Sequence, residues 1–192
     1  EQMLELVELE PFQKGWLAAT WPDQAGFFGD GKCAMAFMGN WMYGAQASNS
    51  ASGEGLGDSN MGMFNMPMTN GGLGDSGDTL GGINGWLFSS SASDAAVELM
   101  MHDISLDIQK EDASHGAYIP LVHGADGSLT NPFVQQVAHN ISSSEYHQIF
   151  YDQFLGADIG RVVNDVSTDL AAGIISAEEA TQAVQEAWEF NQ

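Results

Sequence analysis

Apolar positions along the chain fall into two kinds of run. Three are compact: Lys32–Met38, Met61–Met66 and Ile83–Phe88. Each suits a short buried strand and is too short for a helix. The first is stopped by Gly39 and Asn40, the second by Pro67. Between them the chain turns polar and flexible. Residues 47–60 are rich in Ser, Gly and Asn, and residues 69–82 in Gly and Asp, so both read as loops.

The other runs have helical spacing. Residues 2–10 read as a helix end closed by Pro11, followed by a loop with Trp16 and Trp21. Pro22 opens a short helix through Phe27 and Phe28, with Gly29 and Gly31 as stop signals. Another helix is predicted to start near Trp41. Ser91-Ala92-Ser93-Asp94 has the spacing of a helix-capping box, and Val97, Met100, Met101, Ile104 and Ile108 follow as one stripe. Residues 118–122 are extended around Pro120. Asn131-Pro132 supplies an N-cap and a first-turn proline for a helix through Val134 and Val137. Ile159, Val162, Val163, Val166 and Leu170 form a further stripe closed by Gly173. Ser176-Ala177-Glu178-Glu179 is a capping box for a last helix that buries Ala180, Ala183, Val184 and Trp188. Strands alternating with helices, then helices alone, predict an α/β fold: a short β-sheet flanked by helices, with a helical C-terminal part. At 192 residues the chain fits a single lobe spanning residues 1–192.

Charge narrows the partners. Four basic residues face 26 acidic ones, for a formal net charge of -22. Nucleic acid is excluded as a partner, because phosphate binding needs clustered Lys and Arg. Anionic membrane surfaces are disfavoured for the same reason. Only 16% of residues are charged, so the imbalance reflects missing Lys and Arg rather than acidic blocks. The scattered acids suit a surface solvated in salty water, where ions screen self-repulsion; an acidic partner surface or a cation-binding role is the alternative. No apolar run approaches the roughly 20 residues of a membrane span. The first residue opens straight into a helical pattern, so the start reads as a cut through a longer chain. Cys33 is the only cysteine; its apolar neighbours predict an inert thiol in a buried strand.

Catalytic motifs are missing. There is no Gly-x-Ser-x-Gly, no phosphate-binding Gly-x-x-x-x-Gly-Lys-Ser/Thr and no His-Glu-x-x-His. The histidines at 102, 115, 123, 139 and 147 lack metal-ligand spacing. Nothing here predicts an enzyme, a metal or a cofactor. The loop Gly71–Asp78 comes near a calcium-binding nonapeptide, but the Asp falls one place early and nothing repeats.

Residues 27–43 are the informative segment: a Gly31-Lys32 turn, an apolar run ending at Gly39, and a helix whose first turn carries Trp41. In open α/β layers, ligands sit beyond the carboxyl ends of strands, where helix N-termini present unpaired N–H groups. Trp41 is therefore placed to offer a flat apolar face to a small molecule. The pattern Phe-x-x-Gly-Lys-x-Ala-Met, then Gly-x-Trp, resembles the signature of family 1 extracellular solute-binding proteins. Further matches follow in order. Met63–Pro67 resembles that family's strand ending in proline, and Gly81-Gly82 its glycine pair. Ser93–Met101 is similar to its next helix, and Leu170–Ala180 to its final Gly-x-x-Ser/Thr-x-Glu-Glu-Ala stretch. Together they run from about residue 20 to 190.

The resemblance implies the C-terminal lobe of a type II periplasmic binding protein, or Venus-flytrap, fold, with the amino-terminal lobe preceding residue 1. It implies a monomeric periplasmic or cell-surface receptor that delivers a neutral sugar or oligosaccharide to the membrane permease of an ABC importer, without inserting in the membrane itself. Trp41 then matches the sugar-stacking aromatic and Tyr43 a second one. Gly81 and Gly82 match a backbone that approaches the ligand closely. Asn40 and Asn84 are suited to orient hydroxyls without a charge penalty. Trp86 and Asn84 lie on opposite faces of one predicted strand, so one of them faces the cleft. Tyr151 and Asp152 precede the helix that reaches the hinge in that family. Arg161, the sole arginine, is either a ligand contact or half of an ion pair. Two competing functions remain: a solute-binding protein for a cationic or zwitterionic ligand such as a polyamine or betaine, and a calcium-dependent structural or adhesion module built on residues 71–78.

Overall fold

A computed structural model describes residues 2–82, 85–115 and 118–191. The protein is helix-rich, with 52% of residues helical and a small two-stranded parallel sheet, an arrangement compatible with α/β. It forms two compact units. The first comprises Glu1–Phe37, Gly44–Leu56 and Ile149–Gln192, the second Met38–Tyr43 and Gly57–Gln148.

The first unit holds α1 (Gln2–Glu8) and α2 (Trp21–Gly29). Most of α3 (Met42–Ser48) also belongs to it. Thr20 starts α2 through a reciprocal capping box: its hydroxyl accepts from the Asp23 N–H, and the Asp23 carboxylate accepts from the Thr20 N–H at 2.9 Å. Pro22 occupies the first turn, where no N–H is needed. Gly29 lets α2 press onto α3, since a methyl there would lie 2.9 Å from the Gln46 carbonyl carbon. Gln46 is buried and clamps the following loop. Its amide Oε1 accepts from the Leu56 N–H at 2.7 Å, and its Nε2 donates to the Leu56 carbonyl at 3.3 Å.

The same unit ends in a helical group: α7 (Tyr151–Phe154), α8 (Ala157–Ala171) and α9 (Ala177–Phe190). α8 packs on both neighbours and on α1. Its predicted stripe is half-buried or buried from Ile159 to Leu170. Gly173 takes φ +71°, and two hydrogen bonds close the helix: Gly173 N–H to Leu170 O and Ile174 N–H to Asp169 O. These are the paired bonds of a Schellman ending. Ser176 and Glu179 form the expected capping box for α9. Ala180 is buried there, but Trp188 is 43% exposed.

The second unit is built around Ala113, Leu129 and Val134, with Ile119 and Ala138 packed against them. These come from α5 (Leu106–Ser114), α6 (Pro132–Ser143) and the segments between. Asn131 caps α6 as its sequence predicts, its side-chain oxygen accepting from the N–H groups of Phe133 and Val134. The sheet pairs β1 (Thr79–Gly81) with β2 (His147–Ile149).

Several expectations are corrected. None of the three apolar runs is a strand among the described residues. Lys32–Met38 has no ladder partner, and Met35 and Phe37 are 71% and 76% exposed. Cys33 is therefore half-buried rather than in a buried strand, although desolvation still pushes its thiol up. Met61–Met66 is likewise unpaired and ends at a proline that has no N–H to donate. Ile83 and Asn84 lie outside the described residues, and Gly85–Phe88 forms no strand. A strand is stable only when a neighbour accepts its main-chain hydrogen bonds, and apolar content alone does not supply one. The pairing goes instead to β1, inside the expected loop 69–82, and to β2. The stripe from Val97 to Ile108 is also two helices, not one: α4 (Asp94–Asp103) stops at Ile104, and Ser105 begins α5.

Candidate functional site

The segment that carries the aromatic candidates is a tight turn leading into α3. The Met42 N–H donates to the Gly39 carbonyl at 3.0 Å, and the Tyr43 N–H to the Asn40 carbonyl at 3.2 Å. Met42 is buried and anchors the turn. The Trp41 indole lies back over Gly39, where a methyl group would come within 2.7 Å of its Cε3. Gly39 is thus favoured by the approach of the ring. The indole is 47% exposed, so an aromatic face reaches solvent at the helix entry.

Tyr43 is held from two sides. Its hydroxyl donates to Asp58 Oδ1 at 2.8 Å, and its ring lies 5.5 Å from that of Phe133 at an interplanar angle of 34°. The Asp58 carboxylate, and then burial, push the phenol pKa above its ordinary value. Tyr43 therefore stays a neutral donor throughout the physiological range. Asp58 sits on a 3-10 turn, Asp58–Asn60, and Phe133 in the first turn of α6. Neither is visible as a partner in the sequence: one lies in a Ser/Gly loop 15 residues away, and the other is an ordinary helix aromatic. Asn40 is exposed beside Trp41.

The remaining predicted residues have neighbours of their own. Gly81 is on β1, and a side chain there would meet the His147 imidazole at 3.2 Å. The close approach that Gly81 permits is thus to a ring of β2. That imidazole also hydrogen-bonds the Thr79 hydroxyl, 2.8 Å from Nδ1. Gly82 is exposed just beyond β1, and Trp86 is 72% exposed. Asn84 lies outside the described residues. Arg161 belongs to the first unit, on α8, where it donates to Asp165 at 3.0 Å along the helix. In that unit, Asn164 on α8 also donates to Asp152 at 3.3 Å. Leu155, Ile159, Trp188 and Asn191 border a small open cleft there, and none of them figures among the predicted site residues.

The acidic loop spends its carboxylates on itself. Asp78 Oδ2 accepts from the Asp75 N–H at 2.7 Å, and Asp75 Oδ1 accepts from the Gly77 N–H at 2.9 Å. Among the described residues, no three His, Cys, Asp or Glu side chains come together as a metal site. Among them, too, no helix is long and apolar enough to cross a membrane. Along the Gly39–Tyr43 turn the chain carries a half-exposed indole, an exposed amide and a phenol restrained by one carboxylate. Set against known proteins, the chain matches no protein-family profile and no curated sequence.

Proposed function

We propose that the protein is an extracytoplasmic solute-binding receptor, periplasmic or at the cell surface, that delivers a neutral sugar to an ABC importer. In this reading the chain is the C-terminal lobe of a Venus-flytrap fold. The observation that carries it is the half-exposed Trp41 indole, folded over Gly39, with the Tyr43 hydroxyl oriented by Asp58. A sugar ring offers an apolar C–H face and a rim of hydroxyls. The indole suits the face, with little rotamer freedom to lose on binding. Asn40 and the Tyr43–Asp58 pair suit the rim: the amide both donates and accepts, while the carboxylate and the phenol oxygen, whose proton goes to Asp58, accept from hydroxyls. Closure of two lobes around the ligand would then be the state read by the permease.

The test is calorimetry on the intact natural protein, after a thermal-shift screen of sugars, polyols and polyamines. Stacking on one indole face contributes about 2 kcal/mol, so Trp41→Ala should weaken sugar binding by roughly thirtyfold with the fold unchanged. Unchanged affinity removes Trp41 from the site. A second reading is favoured by one contact: Asp58 puts a carboxylate 2.8 Å from the Tyr43 hydroxyl, close in sequence to Trp41. An aromatic beside a carboxylate also suits a cationic ligand such as a polyamine or betaine. Asp58→Asn separates the two, since it abolishes binding of a cation and only weakens binding of a sugar.

A further inference from the structure

We propose that the outer face of α4 docks a basic amphipathic segment of a partner protein. α4 packs against α5, which is anchored in the second unit by buried Gln109 and Ala113, yet α4 itself buries no residue. Part of the stripe that its sequence would place in a core stands in solvent instead: Val97 is 44% exposed, Met101 61% and Ile104 41%, while Met100 is half-buried. At 3.6 residues per turn these three form one ridge, and Asp94 and Glu98 form the adjacent row. Leu99 lies on another side of the helix. An apolar ridge containing an adaptable Met, edged by carboxylates, is a surface suited to a partner helix with apolar anchors and Lys or Arg at their margins.

Charge selects that occupant over the others. From Asp94 to His115 there are six carboxylates and one lysine, Lys110. A second copy would bring the same acids and a net charge of -22, so like charges would face each other across the contact. An anionic membrane is repelled in the same way. A basic helix gains on both counts. This inference does not depend on the sugar-receptor reading.

The probe is a fluorescein-labelled helical peptide with leucines at helical spacing flanked by lysines, beside a scrambled peptide of the same composition. Binding is read by anisotropy at about 0.1 M salt. The patterned peptide is expected to bind, and the scrambled one far more weakly. Met101→Gln and Glu98→Lys should each weaken binding at least about tenfold, and Leu99→Gln by less than about twofold. Circular dichroism checks that each variant stays helical, with Val97→Ser as a substitute should one unfold. Absence of binding overturns the proposal, as does equal binding of the scrambled peptide or an equal loss in Leu99→Gln. Self-association in sedimentation that Met101→Gln abolishes would assign the face to a second copy and overturn it too.

Discussion

Two glycines in helices should respond to the same substitution with opposite sign. Intrinsic propensity predicts that Gly→Ala in a helix stabilises by about 1 kcal/mol, because alanine loses less backbone freedom on folding. At Gly44, in α3, a Cβ would meet nothing within 4 Å, so this gain should be realised. Gly160, in the first turns of α8, is different. A Cβ there would stand 2.6 Å from the Asp152 Cα and closer still to its carbonyl oxygen. Carbon atoms rest at about 3.5–4 Å, so α7 would have to move by about 1 Å. The obstacle is backbone, which cannot change rotamer to give way. Moving it also strains the Asn164–Asp152 hydrogen bond at 3.3 Å.

Overpacking of this kind costs about 1–3 kcal/mol. Against a propensity gain of about 1 kcal/mol, Gly160→Ala should destabilise by roughly 1–2 kcal/mol. Gly44→Ala should stabilise by up to about 1 kcal/mol. In urea, with a slope of about 2 kcal/mol per molar, the midpoints should separate by about 1 M. The assay is equilibrium unfolding followed by circular dichroism, with equal slopes confirming that the denatured states are comparable. If Gly160→Ala matches or exceeds Gly44→Ala in stability, α7 does not press on α8 as described. The packing of the first unit would then need to be redrawn.

Other outcomes follow from single contacts. Tyr118 donates to Asp112 at 2.6 Å, and that carboxylate, then burial, push its phenol up to about 12. The neutral phenol is the form favoured by folding, so this stabilisation is complete below the ordinary tyrosine range and is lost as pH rises through about 12. Asp112→Asn should bring the ionisation, read by ultraviolet absorbance, back towards the ordinary value; no change would break the assigned contact. Glu179 is held below its usual range by the Ser176 N–H and hydroxyl. Its contribution is therefore present above the unfolded carboxylate pKa and lost as pH falls through the lower folded value. Glu179→Gln should flatten the acid limb of the thermal stability curve, and an unaltered limb would refute the cap. With a net charge of -22, and with Lys32–Asp30 and Arg161–Asp165 both local pairs, salt should stabilise the fold. Going from about 0.01 to 1 M shortens the screening length from about 30 to 3 Å, so Tm should rise by several degrees; a flat response would mean that repulsion is already neutralised.

What was legible in the sequence is what depends on neighbours a few residues away. Asn131 and Ser176 were readable as caps, and Gly173 as a helix end, because each closes hydrogen bonds within one or two turns. Thr20 follows the same rule with Asp23, and the rule finds it once Pro22 is read as a first-turn residue rather than as the start. Strands failed for the complementary reason. Whether Lys32–Met38 becomes one is decided by whether another segment offers its main chain, and nothing in those residues records that. β1 and β2 succeed with three residues each because their main chains pair across a long stretch of sequence, with the Thr79 N–H donating to the Tyr146 carbonyl at 3.1 Å beside the ladder. The candidate site divides along the same line. The Gly39-Asn40-Trp41 turn could be read directly, since its hydrogen bonds span three residues. Asp58 and Phe133, which fix the Tyr43 ring, come from outside the turn. The residue type that would bear on ligand charge is thus the one the local pattern could not supply. Asp58 is a carboxylate beside the aromatic turn, brought there from 15 residues beyond Tyr43 in the sequence. That single contact is why sugar and cation must be separated by Asp58→Asn rather than by Trp41→Ala, which would weaken both.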